Sequence, residues 1–137
     1  MTTISTYKIY EYMKDKFPEL ADMLRNGNID RNSPKSIGVF LGSDTRNNGN
    51  LAIGGADCTI VRMLPVNIQI RWTENQRDHD EKSLEIYNAL LTERSNFMSN
   101  DVKFVYVELL DGCPNSLGRD SKNICESIIR ANFYYYV

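Results

Sequence analysis

The hydrophobic and polar positions change period between residues 65 and 91. Val66, Ile68, Ile70 and Trp72 alternate with polar residues, which predicts a half-buried strand. A polar turn over residues 73–80 follows, and apolar residues then recur at helical spacing, which predicts a helix over about residues 75–91. The stripe expected to face the core consists of Leu84, Tyr87 and Leu91, with Ile86 and Leu90 beside it.

A first amphipathic helix is predicted over residues 4–17, because Ile9, Met13 and Phe17 recur every four residues. Pro18 breaks the hydrogen-bond pattern of that helix. Two further expectations concern its ends, namely a cap from Thr3 or Ser5 and a short helix over residues 18–24.

Strands account for most of the remaining chain. They are predicted over residues 36–41, 56–64, 66–72, 102–110 and 124–137. Pro65 leaves a second possibility, a single long strand over residues 56–72 with a bulge at the proline. The strand at 102–110 is strongly apolar and is therefore expected in the middle of the sheet. This order predicts one α+β domain over residues 1–137, with a mostly antiparallel sheet packed by two main helices.

Composition narrows the function classes. The 137 residues carry a net charge of -2, so whole-chain charge gives no electrostatic case for nucleic-acid binding. Three cysteines and one histidine without a CxxC pair fit neither a disulfide framework nor a zinc site. No secretory signal is found, and no apolar run reaches the roughly 20 residues that span a membrane. We therefore expect a cytoplasmically made protein that has no contact with a membrane.

The charged residues offer weak candidates for catalysis. His79 lies between two aspartates near the start of the second helix, where the acids suit the helix dipole, and we expect it to be exposed. An acid cluster is conceivable from Asp111, Asp120 and Glu126. These acids lie in or beside a loop, where turn formation and solvation account for them. No oriented base and nucleophile pair is found, so we expect no enzyme activity, cofactor or metal.

The glycine-rich segment and the cysteines give no further candidate for a binding or catalytic site. The segment over residues 49–55 is rich in glycine but lacks the Lys-Ser/Thr of a phosphate loop, and a flexible hairpin explains it better. Cys125 is expected in the core and Cys113 in an exposed loop.

Aromatic residues point instead to an assembly. Trp72 continues an apolar face and is expected in the core. Tyr134 and Tyr136 lie on the opposite face of the last strand from Phe133 and Tyr135. A strand with aromatic residues on both faces needs cover on both sides, so we expect a subunit interface there.

Three groups of residues form a recognisable pattern over residues 36–137. The first is the segment 51–55 (LAIGG), and the second is the strand 65–72 with the turn and helix that follow it. The third is the segment 117–126, followed by a closing strand rich in Phe and Tyr. Together these groups resemble the tail-terminator or minor capsid proteins of tailed phages and prophages of Gram-positive bacteria. Cys125 departs from that pattern, since an aromatic residue is expected there.

The resemblance implies a structural virion protein that assembles in the bacterial host cytoplasm. Such subunits form a ring, expected to be hexameric, on the last ring of the tail-tube protein. The ring stops tube polymerisation and offers a docking surface to the head–tail connector, and DNA passes through it without specific binding. The candidate residues for subunit or tube contacts are Arg46, Asn47, Asn48, Arg62, Arg71, Arg77, Arg119, Asp120, Tyr134 and Tyr136.

Two polar loops, over residues 42–50 and 111–123, are the expected arms of such a subunit. Three other functions stay open at this point. One is a head-completion or head–tail joining protein of the neck. The second is a small ligand-binding or enzyme domain that gathers His79, Asp120 and Glu126 around a pocket. The third is an adaptor that binds a partner by strand addition to the last strand.

Overall fold

The computed structural model describes residues 3–43 and 60–137. In this part of the chain the helices are α1 (Thr6–Lys16) and α2 (Gln76–Leu91), with a short 3-10 helix at Pro18–Leu20. The strands are β1 (Leu24–Asn26), β2 (Lys35–Leu41), β3 (Val61–Trp72), β4 (Phe97–Ser99), β5 (Val102–Leu109), β6 (Asn115–Arg119) and β7 (Cys125–Tyr136). The predicted α+β class is confirmed, because two helices accompany a mostly antiparallel sheet of seven strands.

The strands form one sheet in the order β1-β2-β3-β7-β5-β4, and β6 pairs with the first half of β7, on the same side as β5. Only β1 and β2 run parallel among the described pairs. The middle of the sheet is β3 and β7, so the prediction that placed β5 there was wrong. A continuous apolar run indicates burial, but the short β4 and the helices supply that burial without a central position.

Pro65 lies inside one continuous strand. The register of β3 with β7 runs without a shift from Val61 to Arg71, so the described residues form a single long strand and the expected bulge is absent from it. Gly42 donates its N–H to the Pro65 carbonyl at 2.8 Å, on the β2 side just past the end of β2. Because the N and O atoms of a strand residue point to the same side, the missing proline donor costs the β7 ladder nothing.

Both helices pack on one face of the sheet. The odd-numbered residues of β7 point to that face, as the alternation in the sequence predicted. Tyr12 of α1 contacts Phe104 and Phe133 there, with ring centroids 6.1 and 5.5 Å away. Trp72 is buried at the end of β3 and belongs to this core, which confirms its expected position.

The helix boundaries are close to the predicted ones. Ser5 occupies the N-cap position of α1 but its side chain makes no cap hydrogen bond. Asn75 caps α2, since its side-chain oxygen accepts from the N–H groups of Arg77 and Asp78.

The buried side of α2 differs from the predicted stripe. Leu84 and Leu91 are 45% and 59% exposed. The buried positions are His79, Ser83, Ile86, Tyr87 and Leu90. The prediction was right for Ile86, Tyr87 and Leu90 and wrong for Leu84 and Leu91. Two polar residues continue the line of buried positions toward the helix start, and polar residues carry no hydrophobic signal.

Three short strands were not predicted. β1 lies just after the 3-10 helix, at the end of the segment expected to be helical throughout, whereas β4 and β6 lie in segments expected to be loops. Strands of three to five residues are too short to show a period of two. Their neighbours in the sheet supply the hydrogen-bond partners that define them.

Candidate interaction surface

The even-numbered residues of β7 lie on the face of the sheet opposite the helices. In register with them, Tyr106 of β5 lies beside Tyr134, and Glu108 lies beside Asn132. Both described helices pack on the other side, so within residues 3–43 and 60–137 this face carries no helix. We call the surface formed by Tyr106, Glu108, Tyr134 and Tyr136 the tyrosine face.

The tyrosine face is organised around a stacked aromatic pair. The rings of Tyr106 and Tyr134 are nearly parallel, at an interplanar angle of 9° with centroids 4.5 Å apart. The hydroxyl of Tyr134 and the amide of Asn132 both donate to Glu108 Oε1, at 3.2 and 2.9 Å. Burial raises the pKa of Tyr134 to about 12, and a hydrogen bond with Tyr106 and the charge of Glu108 act in the same direction. Tyr134 therefore stays protonated as a donor at neutral pH.

Tyr136 is held at the edge of the same face. Its hydroxyl donates to Asn96 Oδ1 at 3.0 Å, and Lys103 Nζ lies 5.2 Å from its ring centroid. Tyr106 is 39% exposed, and Tyr134 and Tyr136 are partly exposed. Tyr134 and Tyr136 thus lie on the face predicted from the sequence, and their contact with a partner stays a prediction.

The last strand has no open edge for strand addition. β7 pairs with β3 on one side and with β5 and β6 on the other. The adaptor hypothesis that needed an exposed final strand is therefore wrong in that form.

An ion network occupies the opposite end of the sheet. The guanidinium of Arg71 is 1% exposed, donates to Asp120, and also lies 3.3 Å from Glu126 Oε1. It donates further to the carbonyl of Ser33 at 2.9 Å. Arg31 pairs with Glu126 from the surface. Two loops, over residues 27–34 and 120–124, are joined here through one buried side chain.

Asp120 binds Arg71 and also stabilises the turn in which it lies. Its carboxylate accepts from the N–H groups of Ile124 and Lys122, both at 3.0 Å. The hydrogen bond from Ile124 lowers the pKa of Asp120 below its ordinary 3.8, and Arg71 acts in the same direction. Arg71 was expected at a contact surface. It lies inside the subunit instead, where it holds the two loops, because a guanidinium at this depth needs its carboxylates.

The conceivable acid cluster does not form. Asp120 and Glu126 share Arg71, but Asp111 is paired with Arg130 at 2.7 and 2.8 Å. These hydrogen bonds lower the pKa of Asp111. Each of the three carboxylates is thus neutralised by an arginine, and none is poised as a free base.

His79 is buried rather than exposed. Its side chain is 2% exposed, and its Nδ1 lies 3.4 Å from the carboxylate of Asp80. The prediction of exposure was wrong, because His79 lies on the side of α2 that faces the sheet. In the described residues no hydrogen bond or ion pair joins it to Asp120 or Glu126.

The other candidate residues are scattered over the surface. Arg77 pairs with Glu81 at 3.0 Å and is exposed. Arg119 donates to the carbonyls of Glu74 and Asn123. Arg62 donates to the hydroxyl of Thr3 at 3.2 Å. Arg46, Asn47 and Asn48 lie outside the described residues, as do the 51–55 segment and most of the predicted 42–50 arm.

Cysteines and clefts do not reveal a chemical centre. Cys125 is buried and Cys113 is exposed, as predicted, and Cys58 lies outside the described residues. No described group of three or more His, Cys, Asp or Glu residues could hold a metal ion. A cleft of about 510 Å³ lies between the N-terminal segment and the start of β5, and it contains none of the acids or the histidine discussed above. Neither described helix is long and apolar enough to cross a membrane.

Three residues of these sites were missed in the sequence. Arg31 sits in a turn-rich loop with no signal of its ion pair. Tyr106 and Glu108 follow a bulge between Phe104 and Tyr106, which turns the second half of β5 over. The apolar run of β5 gave no alternation from which to assign a face.

Comparison with known proteins adds no relative. No protein-family model matches the chain, and a search of curated proteins finds no significant match.

Proposed function

We propose that this protein is a tail terminator of a tailed phage, a prophage or a phage-derived tail-like particle. Six copies form a ring on the end of the tail tube, stop its polymerisation and offer a docking surface to the head connector. The subunit is a structural component of the virion that uses no cofactor. The motif resemblance over residues 36–137 and the α+β fold support this proposal.

The observation that carries the proposal is the tyrosine face. A helix covers one side of the central strands, whereas the other side presents stacked, partly exposed tyrosines. Tyrosine is enriched among the residues that dominate binding energy at protein interfaces. A closed ring also needs two different patches on each subunit, and the tyrosine face serves as one of them.

The proposed ring lets DNA pass without holding it. Clustered lysine and arginine in the lumen would bind phosphates and retard the DNA, so we expect a lumen that is uncharged or acidic. A ring structure with a lumen lined by Lys and Arg would contradict this part of the proposal.

A second candidate function is a head–tail joining protein of the neck, in which the same subunit forms a ring on the portal side. Co-purification with tails that lack heads supports the terminator, whereas co-purification with filled heads that lack tails supports the joining protein. The ligand-binding alternative is disfavoured by the geometry, because Asp120 and Glu126 are occupied by Arg71 and His79 is buried elsewhere.

The test is the molar mass of the purified protein by light scattering, alone and mixed with the tail-tube protein of the same particle. We expect a mass of six subunits, either in the free protein or only at tube ends. Tyr106→Ser removes an exposed ring from the tyrosine face and should weaken the assembly at least tenfold, the size of an interface hot spot.

The matched control is Tyr7→Ser, since Tyr7 is 51% exposed on α1, away from the tyrosine face. Both variants should keep the circular dichroism spectrum of the parent protein. A persistent monomer that leaves tubes unchanged would remove the terminator proposal. Equal assembly by the Tyr106 and control variants would remove the tyrosine face as the interface.

A further inference from the structure

The two halves of α2 bury different kinds of side chain against the sheet. The second half buries Ile86, Tyr87 and Leu90, and Tyr87 donates to the Asp111 carbonyl at 2.6 Å. The first half buries His79 and Ser83, which are polar. Attachment by apolar burial is therefore confined to the C-terminal half of the helix.

Contacts near both ends of α2, Gln76 with Cys125 and Tyr87 with Asp111, show that the helix runs in the same direction as β7, which places His79 near a third polar residue. At the start, Cys125 Sγ lies 3.6 Å from Gln76 Oε1. At about 1.5 Å per helical residue and 3.3 Å per strand residue, His79 is about 4.5 Å and Ser127 about 6.6 Å from that contact. Ser127 is 2% exposed and pairs with Ile70 on the helix-covered face. His79 and Ser127 therefore lie at the same level between helix and sheet.

Each of these two side chains carries one buried polar atom without a hydrogen-bond partner. His79 Nε2 and Ser127 Oγ are buried and without one among the protein atoms, and Ser83 Oγ donates only to the Asp80 carbonyl of its own helix. A buried polar group without a partner weakens the closed arrangement by a factor of about 5 to 150. The polar contacts described between residues 76–83 and the sheet are the weak thiol contact of Cys125 with Gln76 and Lys82 Nζ, which lies 5.1 Å from the ring centroid of Trp72. Glu74, two residues before the helix, is held separately by Arg119.

We propose that the first two turns of α2, residues 76–83, open from the sheet as a unit while residues 84–91 stay attached. The opening relieves the two unpartnered atoms and exposes Cys125 and the ring of Trp72. It gives the subunit a local conformational change at far lower cost than global unfolding. This inference does not rest on the proposed ring-forming role.

Thiol labelling measures the opening directly. In a Cys58→Ser/Cys113→Ser background, Cys125 is the one thiol left, and it is 1% exposed when the helix is closed. We expect a thiol reagent to label it at a rate that depends only weakly on urea at low concentration, because a small surface is exposed. Global unfolding as the only route would give the full urea dependence instead.

Two variants test the cause of the opening. His79→Leu and Ser127→Ala each remove one unpartnered polar atom, so each should slow the labelling by at least about fivefold. Asn88→Leu is the matched control, because it adds a leucine at an exposed position of the same helix and should leave the rate unchanged.

Acrylamide quenching of Trp72, the single tryptophan, should fall in parallel with the labelling rate of the two variants. Labelling of Cys125 with the full urea dependence of global unfolding would overturn the proposal. An unchanged rate in both the His79 and Ser127 variants, with folding intact, would overturn it as well.

Discussion

Replacing Arg71 by methionine should reveal how much one buried side chain contributes to the loops at its end of the sheet. Methionine keeps the unbranched stem but removes the donors to Asp120, Glu126 and Ser33. Removing one partner of a buried ion pair costs about 3–5 kcal/mol. Arg31 stays to neutralise Glu126, so we expect the lower end, about 3 kcal/mol. For a chain of 137 residues this lowers the melting temperature by about 10 °C.

The assay is urea unfolding of Arg71→Met, followed by the fluorescence of Trp72. Trp72 is adjacent to Arg71 in β3 and reports on the same end of the sheet. The control is Arg77→Met, because the ion pair of Arg77 with Glu81 lies on the exposed surface and should contribute less than about 0.5 kcal/mol. A loss below about 1 kcal/mol in Arg71→Met, or equal losses in both variants, would refute the reasoning.

The cost of Arg71→Met should also depend on pH. The pKa of Asp120 is lowered in the folded protein, so its contribution is complete above the ordinary value of 3.8. That contribution is lost as the pH falls through the folded-state pKa. The difference between wild type and variant should therefore be constant from pH 7 to about 5 and shrink below pH 4. A difference that grows on acidification would contradict the assignment.

Two further changes test the attachment of the helices. Tyr12→Phe removes the hydroxyl that donates to Glu93 Oε2 at 2.7 Å and should cost about 1.5–3 kcal/mol in urea unfolding, because Tyr12 is buried and the acceptor of its hydrogen bond is charged. A loss under about 0.5 kcal/mol would show that Lys16 alone satisfies Glu93. Asn75→Ala removes both cap hydrogen bonds of α2 and should lower the free energy of unfolding by about 1 kcal/mol. Asn75→Asp keeps a capping oxygen and should therefore keep most of that stability. Equal stability of the alanine and aspartate variants would rule out the cap.

The long helices and strands could be predicted from the sequence because their hydrophobic positions repeat regularly over many residues. The alternation in β7 identified both of its faces, and Asn75 and the following apolar residues identified α2. These segments of 12 and 16 residues contain enough positions for the repeat to be recognised despite single exceptions. The short strands β1, β4 and β6 contain only three to five residues each, and they are defined by hydrogen bonds to the neighbouring strands of the sheet.

The positions of polar residues were less readable for a physical reason. Burial of Arg71, His79 and Ser127 depends on which loop or helix lies over the sheet, and no local pattern encodes that. Arg71 was assigned to a contact surface because arginine is enriched at protein interfaces, whereas its three partners come from segments 38 to 55 residues away. The tyrosine pair was half predicted, since Tyr134 was identified and Tyr106 was hidden by a bulge in β5.

The length of tail tubes assembled with and without this protein tests the proposed role most directly. Purified tail-tube protein is polymerised in the presence of increasing amounts of the chain, and the tubes are imaged by electron microscopy. The account predicts shorter tubes as the amount rises, each ending in a ring of six subunits, and no shortening by Tyr106→Ser. Tubes of unchanged length without terminal rings, at a several-fold molar excess of folded protein, would contradict it.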